Sequence, residues 1–282
     1  LNLGGGKAVI IGDSKALTNR EPLFRRYGKF VNGLGGRYIT AEDVGTSTGD
    51  MEYIGMETES VAGKPEQLGG GGDPSPVTAY GVYLGMRAAA KYANGTDSLS
   101  GKRVLVQGVG HVGQHLVKHL VQEGATVMIA DISEERTSAV AKEFGVEVVS
   151  TASIFDTQMD IYAPCALGAT INDETIGKLT CNIIAGAANN QLKEEEKHGR
   201  ALIERGIVYA PDYLINAGGL INCYVELEGY NRERALQKTE IIYQRALEIF
   251  AVAASNNITT QAAANRVAEE RIRAVANINA RL

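Results

Sequence analysis

The sequence predicts an α/β protein whose larger part is a doubly wound parallel sheet, and two observations carry that expectation. From Gly101 onward, short apolar runs (KRVLVQ, ATVMIAD, EVVS, MDIYAPC, NIIAGAAN, GIVYAPDYLI) alternate with helical stretches. Strands of that kind, buried on both faces and separated by helices, build a parallel sheet with helices above and below it. The first run leads directly into GVGHVG, a glycine-spaced turn placed where a strand becomes a helix.

The length of 282 residues favours two domains, and 44% hydrophobic against 22% charged residues is the composition of a packed globular chain. Lys and Arg number 28 against 33 Asp and Glu, a net charge of −5 with no dense basic block, so nucleic acid is not an expected partner. No apolar run reaches the roughly 18–20 residues that span a bilayer, and the first residues lack a charged segment followed by an apolar one. A cytoplasmic protein without a membrane partner is expected. Cys165, Cys181 and Cys223 are odd in number and contain no CxxC pair, which fits reduced thiols rather than a disulfide framework or a zinc knuckle.

In chain order, residues 1–68 combine short β-like runs, AVIIG and RYIT, with a helical stretch around EPLFRRYGKFVNGL. LGGGGDPSP follows, where four glycines and two prolines suit a hinge or crossover between domains. VTAYGVYLGMRAAAKYANG reads as a helix, with Val77, Tyr80, Leu84 and Ala88 at helical spacing and Gly95 closing it. After the strand and helix alternation, residues from about 219 to 280 are helical, with Thr259 or Thr260 as the N-cap of the last segment. The expected organisation is a substrate domain over 1–73, a dinucleotide-binding domain over 74–257, and a C-terminal helix over 258–282 that packs back on the substrate domain.

Gly108, Gly110 and Gly113 stand at GxGxxG spacing. The first glycine allows the tight turn, the second lets the backbone approach a pyrophosphate, and the third lets the helix pack closely on the strand. The helix N-terminus then offers unpaired N–H groups and the positive end of its dipole to the phosphates. ATVMIAD ends in Asp131, 23 positions after Gly108, where a carboxylate accepts from an adenosine ribose diol and repels a 2′-phosphate. A Rossmann-type domain binding NAD rather than NADP is therefore expected. His111, His115 and His119 fall at i, i+4 and i+8, but no nearby carboxylate completes a metal site. Val112, Leu116, Leu120 and Val121 are the expected buried stripe, which leaves the histidines on a solvated flank, and no metal is expected. His198, in KEEEKHGR, is read as part of a solvated helix.

LGGGKAVI is not a phosphate loop, because that motif needs GxxxxGK followed by Ser or Thr and then a helix. Gly4, Gly5 and Gly6 remove three side chains ahead of Lys7 and let a small substrate lie on the backbone. A lysine enclosed there has its pKa lowered by desolvation and acts as a base, although an ordinary strand-edge lysine fits this stretch as well. RYITAEDVG then places Asp43 at a strand end. A lysine base and a carboxylate beside an NAD-binding domain suit oxidation of an amine carbon: the nicotinamide takes hydride, Lys7 activates water, and Asp43 moves protons to and from the nitrogen.

LGGGKAVIIGD, GRYITAEDVGT, DPSPVTAYGVY, VQGVGHVG, DIYAPCALGA, GAANNQLK, YAPDYLINAGGLIN and ELEGYNRERA together resemble the amino-acid dehydrogenases that act on glutamate, leucine, phenylalanine and valine, and most closely the leucine dehydrogenases. The resemblance implies that Lys7 is the catalytic lysine and Asp43 the acid–base aspartate. It places Thr78 near the nicotinamide carboxamide and Gly108, Val109, Gly110, His111, Val112, Gly113 and Gln114 around the pyrophosphate, with Asp131 on the ribose. Cys165, Ala166, Leu167, Ala187 and Asn189 would line the cofactor cleft between the two domains, and Asn190 would contact substrate beside Gly5.

In this family two residues three apart on the helix after NAGG help to set specificity, here Leu220 and Cys223, with Ala41 as a further wall. Neither supplies a partner for a glutamate side chain, so a branched-chain substrate is expected, leucine first and isoleucine or valine also. Phenylalanine and valine dehydrogenases of the same family are the alternatives. The resemblance further implies a homo-oligomer. Family members carry more of the substrate domain ahead of the GGGK motif, including a second lysine that anchors the substrate carboxylate. The substrate domain is therefore expected to be truncated, and an inactive NAD-binding fragment is a second alternative. A 2-hydroxy-acid dehydrogenase is disfavoured because its catalytic histidine has no counterpart here.

Overall fold

A computed structural model describes residues 1–13 and 16–279 of the chain. The chain divides into two compact units, one formed by Leu1–Val77 with Gly219–Lys238, the other by Thr78–Gly218 with the chain from Thr239 onward.

In the first unit, helix α1 (Glu21–Asn32) starts with Pro in its first turn and buries Phe24, Gly28 and Val31 along one face. Strand β1 (Thr40–Ala41), helix α2 (Thr48–Gly55) and strand β2 (Val61–Ala62) follow. Phe24 packs with Met51, Ile54 and Val61 to form this unit's apolar core. β1 and β2 are parallel, with Ala41 opposite Ala62. Residues 7–11, expected as a strand, take no regular structure, and Val9 and Ile11 are exposed. A strand needs a partner for its N–H and C=O groups, and among the described residues none pairs with this run. Of RYIT only Thr40 is in a strand.

Helix α3 (Ser75–Asn94) leads into the second unit, which continues with strand β3 (Arg103–Gln107), helix α4 (His111–Gln122), strand β4 (Thr126–Ala130), helix α5 (Glu134–Phe144) and strand β5 (Glu147–Val148). Strand β6 (Ile161–Pro164), strand β7 (Ile183–Ile184), helix α6 (Glu195–Glu204), strand β8 (Val208–Tyr209) and helix α7 (Asp212–Ile215) complete the alternation. The sheet order is β5-β4-β3-β6-β7-β8 and every pairing is parallel. This is the doubly wound fold expected, with its switch point between β3 and β6. Successive β3 residues Val104, Leu105 and Val106 are all buried, so both faces of the sheet are covered.

On α4 the buried face is Gly113, Leu116, Val117 and Leu120 rather than the stripe through Val112 and Val121. The helix is turned so that His119 packs on the rings of Tyr83 and Tyr80 from α3, with centroids 5.3 and 5.7 Å away. Burial, with His115 and Lys118 nearby, holds the His119 imidazole below its ordinary pKa, so this histidine is not on a solvated face.

The chain returns to the first unit as helix α8 (Gly218–Leu227) and helix α9 (Arg232–Thr239). Helix α10 (Ile241–Asn256) and helix α11 (Thr260–Asn279) end the described structure. Thr259 is the cap of α11, its hydroxyl accepting from the Ala262 N–H at 3.1 Å. Ala263 and Ala264 of α11 pack with Ile249 and Ala253 of α10, so the segment read as a returning C-terminal helix adds to the core of the second unit. No helix among the described residues is long and apolar enough to cross a membrane.

The first unit contains a buried carboxylate that fixes its helices. Asp50 accepts from Arg20 through both oxygens, at 2.7 and 2.8 Å, and closes a capping box with Ser47 at the start of α2. Burial works against the charged form, but Arg20 and Ser47 outweigh it and hold the Asp50 carboxyl below its usual range. A carboxyl depressed in the folded state adds stability above its unfolded pKa, about 3.9, and that stability is lost as pH falls through the folded value. Asp50→Asn is expected to lower the unfolding free energy at pH 7 by about 3 kcal/mol in urea titrations, with a difference from the parent that shrinks below about pH 4.

Candidate active site

The sequence positions singled out fall into two clusters, one in each unit. In the first, Lys7 and Asp43, 36 residues apart, are joined as an ion pair between the lysine ammonium and Asp43 Oδ2. Asp43 sits just past β1 in a turn closed on itself. Its Oδ1 accepts from the Val44 N–H at 2.8 Å, its N–H donates to Thr46 Oγ1 at 2.9 Å, and the Thr46 hydroxyl donates back to its carbonyl at 2.7 Å. Arg20 holds the far side of the turn by donating to the Gly45 carbonyl at 2.8 Å. The carboxylate is thereby oriented with one oxygen on its own backbone and the other on Lys7.

The Lys7 and Asp43 side chains are 68% and 52% exposed, so the described residues do not enclose the lysine as the glycine run led one to expect. At Gly5 a Cβ would meet nothing within 4 Å, which leaves open space over the backbone ahead of Lys7. Ala41, in β1, is exposed. Leu220 and Cys223 share one face of α8, Leu220 being 54% exposed and Cys223 partly buried. Burial, followed by the charges of Glu226 and Glu42, pushes the Cys223 thiol up to about 12. α8 therefore lies close to the strand end that carries Glu42 and Asp43.

The second cluster gathers at the C-terminal ends of β3, β4, β6 and β7, on both sides of the switch point. Gly108 has φ +99°, and a Cβ there would lie 2.7 Å from that of Ala166. At Gly113 a Cβ would lie 2.0 Å from the Gly108 carbonyl oxygen, so the helix can start this close to the strand only with glycine. Gly110, the N-cap of α4, differs: a Cβ there would have only Arg136 Nη1 near it, at 3.9 Å. That open side, the N–H groups of the first turn at His111, Val112 and Gly113, and the side chain of Gln114 one step further are the cradle a pyrophosphate needs. Val109 is buried between the two glycines.

Asp131 follows β4 and braces this turn. Its Oδ2 accepts from the Val109 N–H and its Oδ1 from the Ser133 N–H, both at 2.9 Å, while Arg136 lies 3.6 Å away. Each carboxylate oxygen keeps a further lone pair, so a ribose hydroxyl can be accepted without releasing the backbone. The residues present therefore fit a dinucleotide.

After β6, Cys165 accepts weakly from the Ala187 N–H at Sγ (3.5 Å), and burial pushes its thiol up to about 12. Ala166 and Leu167 are exposed beyond it. The loop after β7 lies alongside, with the Ala169 N–H donating to the Asn190 carbonyl at 2.7 Å. Asn189 and Asn190 are exposed, and Asn190 has φ +53°, a left-handed conformation that asparagine tolerates better than most residues. Thr78 is half-buried in the first turns of α3.

Sequence reading missed the residues that hold these loops. Asn216 donates from Nδ2 to the Ala187 carbonyl at 3.1 Å and to Asn189 Oδ1 at 2.6 Å. Gln191, fully buried, donates to the carbonyls of Gly186 and Ala188 at 2.8 Å, and its N–H reaches Asp212. The only available signal was the position of Gln191 directly after Asn190 and of Asn216 directly before AGG.

His198 is also not solvated as expected: it is 1% exposed, with Nδ1 accepting from the Glu194 N–H at 2.9 Å and Nε2 near Asp173 at 3.2 Å. Asp173, Glu194 and His198 bring possible ligand atoms within 4.8 Å of one another. Lys197 already supplies a positive charge there, 2.8 Å from Asp173 and 3.4 Å from Glu194.

Residues 1–60 match the Glu/Leu/Phe/Val dehydrogenase dimerisation domain, and residues 69–133 and 128–281 match Glutamate/Leucine/Phenylalanine/Valine dehydrogenase. A leucine dehydrogenase of Thermoactinomyces intermedius is 58% identical over 272 residues, which are 96% of this chain and 74% of that protein. A phenylalanine dehydrogenase of the same organism is 48% identical over 280 residues, 99% of this chain and 76% of that one. The crystal structure of an L-tryptophan dehydrogenase from Nostoc punctiforme superposes with a TM-score of 0.81 at 42% identity, covering 96% of this chain and 78% of its own. The paired lysine and aspartate, the glycine turn of a doubly wound sheet and these matches along nearly all of its length agree: the chain belongs to the Glutamate/Leucine/Phenylalanine/Valine dehydrogenase family.

Proposed function

We propose that the protein is an NAD-dependent dehydrogenase that converts a branched-chain L-amino acid, leucine first and isoleucine or valine also, with water to the 2-oxo acid, ammonium and NADH. The observation that carries the reading is the Lys7–Asp43 pair in a chain of this family. In this scheme the first unit supplies the acid–base groups and the side-chain pocket, and the second holds the dinucleotide. Cytoplasmic residence and a homo-oligomeric state belong to the same proposal, the latter supported by the dimerisation-domain match over residues 1–60.

Bound NAD supplies the nicotinamide ring that accepts hydride from the substrate α-carbon. The Gly108–Gln114 turn and the α4 N-terminus would hold its pyrophosphate, and Asp131 would accept from its adenosine ribose. Cys165, Ala166, Leu167, Ala187 and Asn189 would border the cofactor, and Thr78 would contact the carboxamide.

Loss of hydride turns the amine carbon into an iminium. Once its ammonium has passed a proton to Asp43, Lys7 takes a proton from water as the oxygen attacks that carbon, giving a carbinolamine. Asp43 donates a proton to the nitrogen as the C–N bond breaks and accepts one from the hydroxyl as the carbonyl forms. Their direct pairing gives the two groups a path for exchanging the proton between these steps. Asn190 is the residue assigned to substrate in the second unit, and in the first Ala41, Leu220 and Cys223 would surround the substrate side chain. These offer methyl, isobutyl and thiol groups but no cation, so burying a glutamate carboxylate among them is costly.

Lys7→Ala is expected to lower kcat for leucine by about 10²–10⁴-fold in an NADH absorbance assay while leaving the calorimetric Kd for NAD within about twofold. Unchanged turnover would remove Lys7 from its role. Across a substrate panel, leucine, isoleucine and valine are expected to exceed glutamate in kcat/KM by at least about 100-fold, and a preference for glutamate or phenylalanine would contradict the pocket as drawn. Asp131→Ala is expected to weaken NAD about tenfold or more and to narrow the preference for NAD over NADP, both read by titration calorimetry.

A further inference from the structure

Glu226 lies on α8 one turn beyond Asn222, and its carboxylate is committed to backbone. Oε2 accepts from the N–H groups of Gly63 at 2.8 Å and Gly71 at 2.9 Å, and Oε1 accepts from that of Lys64 at 3.3 Å. Asn222, 1% exposed, donates to the Gly71 carbonyl at 3.2 Å, and its Oδ1 accepts from the Tyr230 hydroxyl at 2.9 Å. Two residues at i and i+4 of one helix thus hold Gly71 by both its N–H and its carbonyl, while one of them also holds the end of β2. No side chain fits at Gly71, where a Cβ would be 2.6 Å from Asn222 Nδ2 and 3.0 Å from the Tyr230 ring.

The Gly63 arm reaches the acid–base group. Gly63 follows β2 directly, and a Cβ there would be 3.0 Å from that of Glu42 and 3.3 Å from the Glu42 N–H nitrogen. The peptide held by Glu226 is therefore packed against the residue preceding Asp43, just beyond the Ala41–Ala62 pair. On the same helix, Cys223 lies between Leu220 and Glu226 around the helix axis. A carboxylate that accepts three N–H groups does so through charge-assisted bonds, whereas an amide in its place turns an NH₂ toward at least one of those donors.

We propose that Glu226, with Asn222 and Tyr230, is a positioning residue that ties the Leu220–Cys223 helix to the strand end carrying Asp43, so that occupation of the side-chain pocket sets the acid–base geometry. The proposal rests on the amino-acid dehydrogenase reading above. It makes selectivity between side chains depend on a group that faces neither substrate nor cofactor.

The test compares the parent protein with Glu226→Gln and Tyr230→Phe, measuring kcat and KM for leucine and for alanine along with the Kd for NAD. In Glu226→Gln the ratio of leucine to alanine kcat/KM is expected to fall about tenfold, chiefly through the kcat for leucine, with NAD affinity unchanged. Tyr230→Phe removes one hydroxyl and is expected to move the ratio in the same direction by about threefold, which keeps the test in force if Glu226→Gln does not fold. An unchanged ratio, or equal losses for both amino acids, overturns the positioning role. A parent protein that oxidises no amino acid instead overturns the functional reading, and with it this inference.

Discussion

The contact between Gly113 and the Gly108 carbonyl is the constraint on which the doubly wound unit depends. Because a Cβ at residue 113 would sit 2.0 Å from that oxygen, α4 starts immediately against the end of β3 and its first N–H groups open at the sheet's switch point. The remaining candidates are arranged around that start. Ala166 packs where the missing Gly108 side chain would be, and Cys165 comes off β6 beside it. Asp131 comes off β4 and takes the Val109 N–H. A parallel sheet sends all its strands toward one edge, so a single close helix start makes residues from three separate stretches into neighbours.

Carboxylates on backbone N–H groups recur as the means of fixing loops. Asp43 holds its own turn, Asp50 caps α2, Asp131 braces the glycine turn, Glu226 gathers three peptides, and Asp212 takes the Gln191 N–H. Loops in these regions cannot satisfy their N–H groups through a ladder, and an ionised acceptor binds them more strongly than a carbonyl does. Asp43 also meets Lys7, and Asp131 also faces Arg136. Fixing a functional carboxylate through one oxygen leaves its other lone pairs in a defined direction.

What could be read from the sequence follows from how local the physics is. The parallel sheet, α3 and the GxGxxG turn were legible because each is encoded by adjacent residues: apolar runs of strand length, helical spacing, and glycines at fixed offsets. On α4 Leu116 and Leu120 are buried as their spacing predicts, but Gly113 and Val117 replace Val112 and Val121, and His119 packs on Tyr80 and Tyr83, some forty residues earlier. His198 was misread for a similar reason, since a charged run gives no sign that one member turns back to its own N-cap. AVIIG has strand composition, but composition cannot provide the neighbouring strand. Asn216 and Gln191 are ordinary polar residues in sequence, and only the carbonyls they meet give them a role.

The sequence alone determined the fold class, the place of the glycine turn, the acid after β4 and the residue types around Lys7 and Asp43, because strand and helix periodicity and glycine spacing act within a few residues. Only the tertiary structure decided that Lys7 meets Asp43 across 36 positions, that Asp131 braces the glycine turn, and that Glu226 of α8 holds the Gly63 peptide after β2 across more than 150. Those are hydrogen bonds and ion pairs between residues distant in the chain. Their geometry is set by how the elements pack, and no local pattern carries it.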